Sequence, residues 1–268
     1  MRATVMLSGL LALAVALPGC ASKKKLNEPL GVVAAPAVYR EGMAALQRHE
    51  LKRAKTLLEQ ISYAPDERER LEPLVRLAIA DVTFYDRYGV SLIDARSLYL
   101  DFVALYGDHP LAPYAQFQAG VCSLLQVARP SKDQTETRQA IRDLRVAERR
   151  FPNSAFAEAA RTMMRQAQNN LAEHEFMVGK FYLNRKAPLA AVNRFQGILE
   201  LYPHYSEKDK LYLYLGQALL KLDNDLEARI YLDKLVTDFP DGQYVDEALK
   251  ELDKAGGRLE EFELTGSQ

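Results

Sequence analysis

The sequence predicts an all-α chain, folded as a superhelix of about five helix pairs with a capping helix at its C-terminal end. Three observations carry this reading. The C-terminal half matches itself at an offset of 37 residues, so that Gly179 falls on Gly216, Ala191 on Ala228, Tyr202 on Phe239 and Pro203 on Pro240. A fixed period of this size marks a repeat architecture in which each unit buries its apolar face against the next. The Gly-to-Ala spacing of twelve within each repeat recurs from Gly42 to Ala54. Finally, an aromatic residue followed by proline closes the second helix at Phe151-Pro152, Tyr202-Pro203 and Phe239-Pro240. Proline cannot continue a helix and disfavours helical geometry in the residue before it.

Helix pairs are predicted over about 38–62, 71–106, 111–151, 154–202 and 207–239, with the capping helix over 243–262. The first rests on Gly42, Ala54, Leu58 and Ile61, and the second closes at Tyr106 with Pro110. In the third, Gly120 and Ala140 stand twenty residues apart, and the eight extra residues, RPSKDQTE at 129–136, make a longer turn. The fourth opens early, because 154–170 already reads as helical and no Pro or Gly lies between Asn153 and Gly179. In the fifth, Ala228, Tyr231, Leu232, Leu235, Val236 and Phe239 trace an apolar stripe at helical spacing. Ser206 with Asp209 is predicted to form a capping box ahead of its first helix. Tyr182, Tyr202, Tyr212 and Tyr231 fall on repeat positions and are expected in the core. Cys122, on the stripe of Phe117, Val121 and Leu125, is expected as a small buried hydrophobe. The Gly of one helix and the Ala of the next let the two approach closely. With Tyr212, Leu215, Gly216, Leu219, Ala228, Leu232, Leu235 and Pro240 in place, this pattern resembles the tetratricopeptide repeat.

Composition removes several functions. Lys and Arg number 35 against 36 Asp and Glu, which argues against nucleic acid as a partner. An apolar content of 48% is too high for a disordered chain, and two cysteines cannot build a disulfide framework. His49, His109, His174 and His204 are scattered without metal-ligand spacing, and no nucleophile elbow, P-loop or dinucleotide-binding glycine set occurs. Glu247 and Glu251 share a helix face with Lys250 and Lys254 and read as solvated surface. No catalytic residue, cofactor or metal is expected. The repeats leave no room for a separate catalytic domain, so the chain is not expected to be an enzyme.

The N-terminus is an address. Residues 1–19 carry Arg2 and then an apolar run too short to span a bilayer, the pattern of an export signal. Leu17-Pro18-Gly19-Cys20 resembles the lipobox of bacterial lipoproteins, with Pro18 in place of the more usual Ala or Ser. That resemblance implies cleavage before Cys20, acylation of Cys20 and permanent membrane anchoring, and Ser22 points to the outer membrane. Lys23, Lys24 and Lys25 are read either as touching anionic headgroups or as a solvated run. The expected organisation is a signal peptide at 1–19, then the lipidated Cys20 and a flexible spacer at 20–37. A solenoid follows at 38–262, divided into halves 38–152 and 153–262, and then a tail at 263–268.

Two stretches go further than the repeat. Residues 127–160, with Arg129 to Asp133, Arg138, Ala140 and Phe-Pro-Asn-Ser at 151–154, look like the middle repeat of the BamD family of outer-membrane assembly lipoproteins. Residues 171–203, with Leu171, Glu175, Tyr182, Arg185, Asn193 and Arg194, resemble that family's fourth repeat. The resemblance implies a periplasmic scaffold, lipid-anchored to the outer membrane, that binds the POTRA domains of the barrel protein BamA through its C-terminal repeats. It implies further contact with unfolded outer-membrane β-barrel precursors and other assembly lipoproteins. Arg194 would be the charged contact to the POTRA domain, flanked by Glu175 and Arg185, with a local ion pair as the bland alternative for Arg194. Tyr63 is the weak candidate for precursor binding, since Tyr63-Ala64-Pro65-Asp66 departs from the family's turn. The alternative function is a repeat lipoprotein serving cell-wall synthesis or secretin assembly, as pilotins do.

Overall fold

The computed structural model describes residues 34–86 and 91–258. The signal segment, Cys20, most of the spacer and the tail at 263–268 lie outside the described residues. Five helix pairs and a capping helix follow in order. They are α1 (Ala35–Gln47) with α2 (Leu51–Glu59), α3 (Pro65–Asp86) with α4 (Ser91–Leu105), and α5 (Ala112–Leu124) with α6 (Thr135–Arg150). Then come α7 (Ala157–Asn184) with α8 (Pro188–Leu201), α9 (Lys208–Leu220) with α10 (Asp225–Asp238), and α11 (Val245–Lys254). Each helix packs against its neighbours in sequence, and no strand occurs among the described residues.

Four of the five pairs close on glycine. A Cβ added to Gly42 would meet the Leu58 side chain at 2.9 Å, to Gly120 that of Leu144 at 2.6 Å, to Gly179 that of Phe195 at 2.5 Å, and to Gly216 that of Leu232 at 2.6 Å. Real Cβ atoms do not approach so closely, so each of these four first helices accepts a large apolar side chain of the second because a bare backbone faces it. Ala54, Ala140, Ala191 and Ala228 are fully buried in the second helices beside these contacts. The turn between the two helices is also repeated. His49, Lys186 and Asp223 adopt left-handed φ of 58°, 59° and 56°. The following N–H groups of Glu50, Ala187 and Asn224 bond back to Ala45, Tyr182 and Leu219 carbonyls at 2.9, 3.0 and 3.1 Å. The backbone of a Schellman-like stop is thus reached here without glycine. At the far end, Phe151, Tyr202 and Phe239 share φ of −128°, −128° and −134° with ψ of 55°, 65° and 58°, outside the helical geometry that a following proline disfavours.

α7 is one unbroken helix of 28 residues and joins two cores. Its first half, through Ala160, Met163 and Met164, packs into the cluster containing Phe102, Phe117 and Leu144. Ala167 and Leu171 then meet Ile141 of α6, with Tyr202 packed against them. Its second half, through Ala172, Phe176 and Leu183, packs with Val192, Phe195 and Ile198 of α8. The long turn before α6 is tied to this helix. Gln134 donates to the carbonyls of Arg129 and Lys132 at 2.9 and 3.0 Å, and Asn170 of α7 donates to the Gln134 side-chain oxygen at 2.6 Å. His174 Nδ1 lies 2.6 Å from the Pro130 carbonyl oxygen.

Several boundaries differ from expectation. α1 begins at Ala35, inside the expected spacer, because Pro36 is tolerated in a first turn. α3 begins at Pro65, so the charged run after it is helix, with Asp66 and Glu67 favourable at its N-terminus. α11 stops at Lys254, short of 262, where Gly256 and Gly257 take φ of 97° and 89° and turn the chain away. The capping box at Ser206 and Asp209 does not form: the N-cap is Glu207, and the Asp209 carboxylate accepts from the Lys210 N–H at 2.7 Å. Of the four repeat tyrosines only Tyr212 is fully buried; Tyr182, Tyr202 and Tyr231 are half-buried against the clusters.

Gly216→Ala is expected to cost about 1–3 kcal/mol in urea unfolding, since the added methyl collides with Leu232. Gly197→Ala, where nothing lies within 4 Å, is expected to stabilise by about 0.5–1 kcal/mol.

Candidate functional site

Arg194 stands in α8 beside Phe195, which is wholly buried with Ala191 and Ile198. The helix period therefore puts Arg194 just off the core stripe, facing outward. Its Nη1 donates to Glu175 Oε2 of α7 at 2.8 Å, with the two side chains 46% and 24% exposed. An exposed pair of this kind contributes at most about 1 kcal/mol to folding. Half-buried Tyr202 stands close by. Burial raises its phenol, and the Glu175 carboxylate pushes it the same way while Arg138 opposes. Two of the three residues expected here are thus brought together. Arg185 is not: it caps α7 ten residues beyond Glu175, about 15 Å along the helix axis. Its guanidinium instead lies 5.3 Å over the ring of the exposed Phe181.

Tyr63 lies in the segment ahead of α3, half-buried against the N-terminal cluster, with the Arg68 guanidinium 5.9 Å from its ring. Burial raises its hydroxyl pKa, with Glu72 adding to the effect. Arg68 and Glu72 also line a cleft of about 330 Å³ with Pro73, Tyr106 and His109, between the start of α3 and the α4–α5 turn.

Two buried acidic centres were not anticipated. Asp81 of α3 accepts the hydroxyls of Tyr99 at 2.6 Å and Tyr114 at 2.8 Å, binding α3 to α4 and α5. Burial pushes its carboxyl up to about 6 from 3.8, and the two tyrosine donors pull it partly back. Tyr99 and Tyr114 are raised in turn by burial and by that carboxylate. Asp143 of α6 is gripped by Arg96 of α4 through two bonds of 2.7 and 3.0 Å, and Ser123 and Gln139 complete its shell. The one trace of the first centre in the sequence is an Asp inside the mostly apolar run from Leu77 to Phe84. Cys122 is fully buried, and burial pushes its thiol up to about 12, which removes it from thiolate chemistry. Among the described residues no group of His, Cys, Asp and Glu is arranged to hold a metal ion, and no helix is long and apolar enough to cross a membrane.

Residues 33–229 match the YfiO family, described as outer membrane lipoprotein. The chain belongs to this family. It is similar to the outer membrane protein assembly factor BamD of Rickettsia prowazekii, 26% identical over 93% of this chain and 97% of that one. It is also similar to that of Caulobacter vibrioides, 32% identical over 54% of this chain and 48% of that one. The factor of the same name from Haemophilus influenzae is 28% identical over 84% of this chain and 89% of its own length. The family match takes in α1 to α9 and the start of α10, so the site described above lies inside it.

Asp81 supplies a pH test. Its carboxyl holds a proton more tightly in the fold than in the unfolded chain, so this group adds stability as pH falls from about 6 towards 3.8 and withdraws it as pH rises. Asp81→Asn is expected to stabilise the protein at pH 7 by about 1–3 kcal/mol. It should also flatten the stability profile between pH 4 and 6 in urea titrations (roughly the window set by the two pKa values).

Proposed function

We propose that the chain is a non-enzymatic scaffold for outer-membrane protein assembly, anchored through acylated Cys20 on the periplasmic face of the outer membrane. The family match carries this reading, and the relatives' shared name, outer membrane protein assembly factor, supports it over cell-wall synthesis or secretin assembly. A BamA-like barrel protein docks through a POTRA domain on the face around Arg194. The N-terminal repeats, with Tyr63 near the cleft lined by Arg68 and Glu72, receive unfolded barrel precursors, and other assembly lipoproteins join the same scaffold.

The ion pair suits such a contact. An Arg held by one carboxylate at 2.8 Å keeps further donors free, and its planar fork offers a second acid a bidentate bond. Glu175 holds the guanidinium in place before the partner arrives, which lowers the ordering cost of binding. Lipid anchoring raises the local concentration of the two partners without adding contact energy.

Arg194→Glu is expected to reduce co-purification of the BamA-like protein at least about tenfold while leaving the melting temperature nearly unchanged. The double swap Glu175→Arg with Arg194→Glu restores an internal pair, and it is expected not to restore binding if the partner needs the cation in α8. Wild-type co-purification with Arg194→Glu alone would overturn the assigned face. Cys20→Ala is expected to release the protein from membranes on fractionation; retention in the membrane pellet would contradict lipid anchoring.

A further inference from the structure

The outward face of α6 carries a charge pattern that folding does not account for. Arg138, Arg142, Arg145 and Arg149 are all exposed, at successive spacings of four, three and four residues, which puts them on one helical stripe. Like charges at these spacings destabilise a helix by a few tenths of a kcal/mol per pair. The acids that would offset them are engaged elsewhere. Asp143 is bound by Arg96 of α4, and Glu148 accepts from Arg161 of α7 at 3.0 Å. Glu136 is half-buried in the first turn. Arg142 is held only by the neutral Gln139 side chain. Asp133, which acts on Arg138 from the preceding loop, already binds the Thr135 N–H at 2.9 Å. Among the described residues none of the four arginines has an acid within ion-pair distance.

We propose that this face docks an acidic segment of a partner protein, whose carboxylates repeat along the roughly 16 Å from Arg138 to Arg149. That length is about three turns of helix or five residues of strand. The composition selects protein over lipid. All four cations are arginines, and α6 has no lysine; the guanidinium fork rewards paired carboxylate geometry, whereas a diffuse anionic surface does not distinguish the two. The stripe offers one exposed apolar side chain, Val146 at 44%, where a helix lying in a membrane interface needs a broad apolar face. The surface is carried by α6 and needs no contribution from Arg194, although its Arg138 end lies near Tyr202 beside Glu175.

The test places a photo-crosslinking amino acid at Val146 in the full-length lipidated protein inside its own cells, and sequences the crosslinked peptide. The expected product is a protein segment with three or more Asp or Glu within about twelve residues. The crosslink should fall at least about tenfold in Arg142→Glu with Arg145→Glu, and persist in Arg194→Glu. The double reversal relieves repulsion with Arg138 and Arg149, so its melting temperature is expected to match or exceed that of the parent, which separates lost docking from lost folding. Crosslinking to lipid, to a segment without acids, or undiminished crosslinking in the double reversal would each overturn the proposal.

Discussion

Four of the five helix pairs in this protein depend on one contact: a glycine backbone in the first helix against a leucine or phenylalanine in the second; α3 and α4 contain no glycine. Gly42 with Leu58, Gly179 with Phe195 and Gly216 with Leu232 make it at the same separation, and Gly120 with Leu144 makes it across the longer turn. The third pair shows what this constraint tolerates. Its extra residues leave the contact intact because they are absorbed in the turn, where Gln134, Asn170 and His174 hold the inserted backbone. Insertion is inexpensive at a turn whose carbonyls find partners, and costly within a helix pair, where it would shift the glycine off its partner.

The second organising feature is the continuity of α7. The N-terminal cores end on its first half and the C-terminal cores begin on its second. Glu175 therefore stands on the same helix that carries the α6 contacts of Ala160 and Ala167, and the position of Arg194 relative to α6 is set by one rigid element rather than by a linker. Tyr202, which senses both Glu175 and Arg138, marks the place where the two regions meet.

Much of this was legible in the sequence because each repeat position has a local reason. Glycine and alanine permit close approach, apolar residues recur at the helical period, and an aromatic-proline pair stops the second helix. What was not legible came from interactions between residues far apart or from backbone states that carry no marker. The left-handed turns at His49, Lys186 and Asp223 lack the glycine that would announce them. The Asp81 and Asp143 centres need helices to be assembled before their donors arrive. The same limit explains the site. Both Glu175 and Arg185 are expected to flank Arg194 from the sequence, but only Glu175 pairs with it in the fold, and the rise of a helix carries Arg185 about 15 Å from Glu175. The arginine stripe of α6 was visible as residues. Arg96 and Arg161 occupy Asp143 and Glu148, acids of α6 that would otherwise offset it, and neither contact is marked in the sequence.

We propose that these helix pairs form a lipid-anchored scaffold for assembling outer-membrane barrels. The most direct measurement is isolation of the native lipidated protein from detergent-solubilised outer membranes, with its companions identified by mass spectrometry. Such a scaffold is expected to bring with it a barrel protein bearing POTRA domains in amounts comparable to its own. Recovery of cell-wall enzymes or a secretin, without such a barrel, would contradict it.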